Sequence, residues 1–593
     1  MTNSPRSELR DALASCRGAF LGLALVSAVI NVLYLTGSLF MLEVYDRVLP
    51  SRSIPTLVGL ALLAMGLYGF QGILDFIRGR VLVRIAAALD ERVSRRVFEA
   101  VVRLPLSGRR ADGIQPVRDL DQVRAFLSSG GPSALFDLPW LPFYVVICYL
   151  FHPWIGFAAA LGALALVTVT LLTEMMTRRP AQEAVVHGAS RSALAETCRR
   201  NAEVLQAMGM AARLHGRWDD ANRRFLGSQQ RTSDVAGGFG ALSKVLRMVI
   251  QSGVLGLGAY LVIHGQATAG LIIAGAILSA RALAPVELAI ANWKGFVAAR
   301  QGWRRLDDLL KALPRADEPM ALPRPSSEVS VEAVSVVPPG LNRFVVQDVA
   351  FALRAGQGLG VIGPSASGKS SLARTLVGIW RPVRGKVRLD GAALEQWSPE
   401  ALGQHVGYLP QDVELFAGTI AENIGRFEAD PDPAAVIAAA KAAGVHDLVL
   451  RLPDGYDTRI GEAGAGLSAG QSQRIALARA LYRDPFLVVL DEPNSNLDGE
   501  GEEALTQAIL GVRARGGVVV VIAHRPSALA GVDRILMMVD GRQQAFGPKE
   551  EVLSKVLRRP PAAAAAVAAG VPAPASTAFT GLSGLRVVEG QGG

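Results

Sequence analysis

The sequence predicts an all-α six-helix transmembrane domain followed by an α/β P-loop domain, and three observations predict it. Half of the 593 residues are apolar and only 19% are charged, which is too apolar for an ordinary soluble enzyme. The apolar residues of the first half gather into uninterrupted runs long enough to cross a bilayer. In the second half, a phosphate-binding loop stands between an apolar strand and a helix-forming stretch.

Length alone asks for more than one core. The net charge of +9 does not point to nucleic acid, because Arg is spread along the first half instead of forming one stripe with interleaved aromatics. Basic loops held on the cytoplasmic side of a membrane account for the same excess. Cys16, Cys148 and Cys198 form no CxxC pair and have no His at metal-ligand spacing, so neither a disulfide framework nor a zinc site is indicated. The polar opening, Met1 to Arg17, leads into an apolar run without a small-residue cleavage site, so that run is expected to be retained.

The first span is Phe20 to Met41, which is uncharged, with Asn31 its most polar side chain. Ile54 to Leu74 is the second, and the charge-balanced segment Glu43 to Arg52 between them suits a non-cytoplasmic turn. Ala134 to Met175 is too long for one crossing and is interrupted at His152 and Pro153, so it reads as a hairpin of two spans. Met248 to Ile263 and Ala269 to Ala289 complete the six, separated by His264, Gly265 and Gln266. Arg281 and Glu287 in the last span either line a path or pair with each other. Six crossings put both termini on one side, together with the Arg-rich loops Asp75 to Pro132 and Thr177 to Asp234. Within these loops Val81 to Arg103 and Arg191 to Asp220 keep helical spacing, so the membrane helices are expected to continue beyond the bilayer.

These patterns divide the chain into an N-terminal segment 1–19, a membrane domain 20–310, a linker 311–330 rich in Pro, Asp, Glu and Ser, an α/β domain 331–558 and a low-complexity tail 559–593. There is no internal repeat.

Gly363, Pro364, Ser365, Ala366, Ser367, Gly368, Lys369 and Ser370 match the phosphate-loop pattern, with Ser371 continuing the following helix. Glycine lets backbone N–H groups curl round phosphate oxygens, and the helix N-terminus adds positive potential. Lys369 reaches the β and γ phosphates, and Ser370 offers its hydroxyl to Mg²⁺. Phe486 to Leu490 is an unbroken apolar run ending in Asp491 and Glu492. Asp491 is placed to hold Mg²⁺ through water and Glu492 to polarise the attacking water. Each piece alone has a plain structural explanation; their order makes chance unattractive.

Between these two elements, Leu467, Ser468, Ala469, Gly470 and Gln471, followed by Ser472, Gln473 and Arg474, resemble the signature sequence of ATP-binding-cassette ATPases. Gln411 in Tyr408-Leu-Pro-Gln resembles the Q-loop, Ser495 to Asp498 the D-loop, and His524 the switch histidine; Thr458 to Glu462 resembles the loop exporters place before the signature. The resemblance implies a type I ABC exporter fold with a nucleotide-binding domain, and ATP with Mg²⁺ as its ligands. It implies catalytic roles for Glu492, His524 and Gln411, with Gln411 also beside the metal. It implies that Ser468, Ala469, Gly470, Gln471 and Asp498 serve the nucleotide held by a second identical subunit. Ala469 departs from the Gly of many relatives. The usual adenine-stacking aromatic falls near Val337 or Pro338, neither aromatic, which leaves Phe344 as the substitute.

The membrane half is similar to type I secretion exporters of the protease and haem-acquisition protein branch, through Tyr45 to Arg52, Arg118 to Arg124 and Gln206 to Met210. That resemblance implies an unfolded polypeptide cargo with an uncleaved C-terminal signal. It also implies a periplasmic membrane fusion (adaptor) protein, an outer-membrane channel, and a bacterial inner membrane location with both termini cytoplasmic. Segments Gly113 to Asp119 and Gly209 to His215 are the expected contacts with the cassettes. A lipid or drug exporter of the same architecture shares every ATPase residue, and a non-transporting cassette protein is the rival from another class.

Overall fold

Among the described residues of the first unit, six helical segments are long and apolar enough to cross a membrane: Arg17–Ser51, Ile54–Arg103, Gly131–Phe151, Pro153–Arg200, Ala211–Ile263 and Ala269–Ala291. The computed structural model describes residues 7–108, 113–313, 322–461, 464, 466–523 and 526–557. The chain divides into two units, Met1–Arg315 and Ala316–Gly593.

The expected continuation of membrane helices is seen directly. Ile54–Arg103 has 50 residues, roughly 75 Å at about 1.5 Å per residue, against a hydrocarbon layer of about 30 Å. Pro153–Arg200 and Ala211–Ile263 are of similar length and pack along each other. Between them, Gly209 takes a left-handed φ of +60° and breaks the helical run where Gly209 to His215 was singled out.

The hairpin at His152 and Pro153 has a plain local cause. His152 is extended and its Nδ1 accepts from the backbone N–H of Trp154 at 3.3 Å, while Pro153 starts the next helix, where no donor is needed. The return helix then presses so closely that a Cβ on Gly156 would lie 2.5 Å from the Cα of Tyr149.

The segment Glu43 to Arg52 is tighter than a free turn. Helix runs on through a π-helical stretch, Val44–Val48, and Leu49–Ser51, and the chain reverses at Arg52, whose φ is +50°. Asp46 explains why this stretch stays wound. Its carboxylate accepts from Thr268 Oγ1 at 2.6 Å and from the backbone N–H of Gly270 at 2.9 Å, capping the last span with a negative charge.

Arg281 and Glu287 do not pair with each other. Glu287 accepts from Arg247 Nε of the preceding span at 2.6 Å, and the Arg281 guanidinium lies 4.6 Å from the centre of the Tyr34 ring. A polar cluster unites the first three spans. Arg78 donates to both carboxylate oxygens of Asp137 at 3.0 Å and to Asp75 at 2.8 Å. Asn31 donates to Asp137 at 2.8 Å, and the Tyr144 hydroxyl donates to the Asn31 carbonyl at 2.7 Å. Arg78, Asn31 and Asp137 are all buried. Removing Arg78 would strand the buried Asp137 carboxylate at a cost of about 3–5 kcal/mol, whereas Arg78 without Asp137 keeps Asp75 as its partner. Nearer the chain's polar loops, Arg305 binds Asp119 through both carboxylate oxygens at 2.6 and 2.8 Å.

Among the described residues of the second unit, ten strands form one sheet in the order Ala392–Ala393, Arg384–Leu389, Glu328–Val336, Val346–Arg354, Arg542–Pro548, Arg534–Val539, Gly358–Ile362, Val518–Ile522, Leu487–Asp491 and Val406–Leu409. The last five pair in parallel, and the others are antiparallel but for one parallel contact, Arg542 with Gln347. Every residue of Val518–Ile522 and Leu487–Asp491 is buried, as continuous Val and Leu runs covered on both faces require. Each such side chain contributes roughly 1.5–3 kcal/mol. The register matters more than the total. Ile522 lies opposite both Val361 and Asp491, so the loops after Ile362, Asp491 and Ile522 leave the sheet from one edge. Ligands of parallel α/β sheets bind at that edge.

Candidate nucleotide site

The phosphate loop follows the buried strand Gly358–Ile362 and ends at the helix Lys369–Leu376. Glycine is obligatory at two places. Gly363 has φ +154°, and a Cβ there would fall 2.1 Å from the Met538 carbonyl; Gly368 has φ +92°, and its Cβ would meet the Val345 carbonyl at 2.5 Å. Ala366, at φ +64°, is held in the left-handed region without being glycine. The Lys369 ammonium donates to the carbonyls of Gly363 and Pro364 at 2.9 and 2.8 Å, spanning the loop. Burial lowers its pKa, while Glu492 and Asp491 nearby favour its charged form. Pro364, Ser365 and Ser367 complete the loop, and the Ser367 hydroxyl is buried without a partner.

Asp491 is the last residue of its strand, 1% exposed. Strand Val518–Ile522 lies between it and the loop strand, so the two motif strands are not neighbours. The motifs nevertheless meet, because Ser370 Oγ donates to Asp491 Oδ1 at 3.2 Å. Burial raises the Asp491 carboxyl above its usual range, and Glu492 pushes it further up. Its other oxygen, Oδ2, is buried with no hydrogen-bond partner among the described residues. A hydroxyl and an orphaned carboxylate oxygen side by side fit a hard cation such as Mg²⁺. Among the described residues no group of three or more His, Cys, Asp or Glu is placed to hold a metal ion.

Glu492 has φ +51°, a conformation uncommon for a non-glycine residue, and its N–H donates to Ile522 O at 2.9 Å. Gln411 comes from the loop after Val406–Leu409 and donates through Nε2 to Glu492 Oε2 at 3.2 Å. Gln411, Glu492, Asp491, Ser370 and Lys369 thus lie together. His524 and Glu462 fall outside the described residues.

The signature residues start the helix Ala469–Leu481. Ser468 is its N-cap: Ser468 Oγ accepts from Gln471 N at 3.3 Å, and Gln471 Oε1 accepts from Ser468 N at 2.9 Å. Accepting that bond leaves the Ser468 O–H free to donate outward. A Cβ on Gly470 would come 2.8 Å from the Asn496 carbonyl, so the helix starts against the segment after Glu492. Ala469 is exposed and adds only a methyl group. Asp498 caps the helix Gly499–Ala514 through Gly501 N at 2.9 Å and accepts from Arg474 at 2.5 Å. Those two bonds lower its carboxyl pKa. Phe344 is 42% exposed and precedes Val345, whose carbonyl abuts Gly368.

Gln473 and Arg474 stood out in the sequence only as the flank of the signature. Both are buried, and only the helical period of the apolar residues Ile475 to Leu481 hinted at it.

The family described as ABC transporter matches residues 346–495, and that described as ABC transporter transmembrane region matches residues 20–286. Among curated proteins, the chain is 63% identical over 555 residues to the type I secretion system ATP-binding protein PrsD of Rhizobium meliloti (strain 1021), covering 93% of this chain and 95% of that protein. It is 30% identical over 556 residues to the leukotoxin translocation ATP-binding protein LktB of Mannheimia haemolytica, covering 91% of this chain and 77% of that one. Among solved structures, a bacterial Atm1-family ABC exporter with ATP bound superimposes with a TM-score of 0.79 at 23% identity, covering 95% of this chain and all of that one.

Proposed function

The chain belongs to the ABC transporter family, as a multi-pass membrane protein with an ATP-binding, ATP-hydrolysing domain, and from that premise we propose that it is the homodimeric inner-membrane exporter of a type I secretion system. Its cargo is an unfolded polypeptide with an uncleaved C-terminal signal. A periplasmic adaptor and an outer-membrane channel complete the route, and the nucleotide-binding domain and both termini face the cytoplasm. The observation that carries the secretion reading is the 63% identity to PrsD over nearly the whole of both chains. The basic loops, lying on the side the positive-inside bias assigns to the cytoplasm, support the orientation.

In this reading the backbone of Gly363 to Gly368 cradles the phosphates, with Lys369 neutralising the β and γ groups and Ser371 in the helix start below them. Phe344 stacks on the base from beside Gly368. Ser370, Asp491 and Gln411 would hold Mg²⁺, which would offset the charge of the phosphate oxygens. Glu492 takes a proton from water as the water oxygen attacks the γ-phosphorus; the bond to the β–γ bridging oxygen breaks, and ADP and phosphate leave. His524 is assigned to the γ-phosphate. Ser468, Ala469, Gly470, Gln471 and Asp498 face the nucleotide of the partner subunit, so ATP joins the two cassettes and hydrolysis parts them.

The rival is a lipid or drug exporter with the same ATPase. Purified protein in nanodiscs should hydrolyse ATP several-fold faster when given the C-terminal segment of a polypeptide encoded beside it. Stimulation by lipid or hydrophobic drug, with no response to that polypeptide, would reject the secretion reading.

A further inference from the structure

The catalytic glutamate is held in an unfavourable backbone conformation, and one side chain at the flank of the signature accounts for how it is held. Glu492 sits at φ +51°, followed by Pro493 and a tight stretch in which Ser495 N donates to Glu492 O at 3.3 Å. A non-glycine residue in that region persists only where its surroundings over-determine it. Strand pairing fixes the residues before it: Glu492 N donates to Ile522 O. Among the described residues, those directly after it belong to no strand.

Gln473 fills that role. It lies in the middle of the signature helix, 2% exposed. Its Nε2 donates to Pro493 O at 2.6 Å, with Glu492 O and Ser495 Oγ each 3.4 Å away, and its Oε1 accepts from Asn496 N at 3.0 Å. A donor and an acceptor are thus presented by one planar group to two ends of the four-residue segment after the strand. A Gln amide does both without a charge. The approach of Gly470 to Asn496 O, one turn earlier on the same helix, leaves that segment no room to relax toward the helix.

We propose that Gln473 is a positioning residue for Glu492 of its own subunit, fixing the 493–496 segment so that the carboxylate is aimed at the attacking water. This rests on the reading of Glu492 as the base. It also gives one helix two duties: its N-terminus serves the partner's nucleotide, while its middle sets the base of its own site.

Mixed dimers separate the two. One protomer carries Glu492→Gln, so that the other holds the sole working base, and Gln473→Met, unbranched and of similar volume, is placed on either. On the protomer that keeps Glu492, it should lower kcat roughly 30- to 100-fold, the scale of a small misplacement of a catalytic group, with KM for ATP unchanged. On the Glu492→Gln protomer it should change the rate less than threefold. Gln473→Leu, which removes donor and acceptor without burying a charge, should repeat the pattern. Loss on the opposite protomer only, equal loss on both, a change in KM without kcat, or failure of both variants to assemble would overturn the proposal. The Glu492→Gln homodimer is the separate control: ordinary turnover there would remove Glu492 as the base whatever Gln473 does.

Discussion

Replacing Glu492 with Gln is expected to lower ATP turnover by roughly 10²- to 10⁴-fold while leaving ATP binding intact, the range for loss of a positioned general base. In the proposed reading the groups that face phosphate belong to the loop Gly363 to Gly368 and to Lys369, whose ammonium is held by the carbonyls of Gly363 and Pro364. Gln411 approaches through its Nε2 at 3.2 Å, and a Gln at 492 can still accept that bond through its carbonyl oxygen, so the local geometry is kept. What disappears is the ability to take a proton. With ATP bound and not cleaved, the two cassettes should stay joined, which a disulfide engineered between the loop of one subunit and the signature of its partner would register as efficient crosslinking in ATP alone. Turnover within threefold of the parent would contradict the assignment.

Lys369→Ala should fail one step earlier. The ammonium spans the loop, donating to Gly363 O and Pro364 O, in the position from which it reaches a β or γ phosphate oxygen. A charge-assisted bond of this kind is worth about 1.5–3 kcal/mol, so ATP affinity should fall by roughly 10- to 100-fold. Equilibrium binding of a fluorescent ATP analogue checks it, and an unchanged affinity would show that Lys369 does not face the phosphates. The two variants therefore part binding from chemistry: one holds ATP without cleaving it, the other scarcely holds it.

Both expectations were readable from residue order, because the motifs that carry them are local. A strand, a glycine turn and a helix start fall within a dozen residues, and backbone geometry alone makes them a phosphate cradle. The membrane spans were legible for a similar reason, since length and apolarity are local quantities. Long-range partnerships were not. Nothing near Glu287 names Arg247, and nothing near Asn31 or Arg78 names Asp137; in each case the partner lies on another helix. Asp46 looked like part of an exposed turn because its target, the N-terminus of the last span, is more than two hundred residues away. Gln473 was hidden differently. Its type is polar and its neighbours are motif residues, so its burial and its bonds to Pro493 and Asn496 follow only from how the signature helix packs on the strand end. Sheet order was also invisible: the acid-bearing strand and the loop strand are separated by Val518–Ile522, a strand later in sequence than either.

In this mechanism ATP is enclosed by the phosphate loop of one subunit and the signature of another. Nanodiscs loaded with one copy of the protein or with two, sorted by mass, measure this most directly. Two-copy discs should hydrolyse ATP at the full rate, and one-copy discs should show a rate at least tenfold lower per subunit. Equal rates per subunit in the two populations would contradict it.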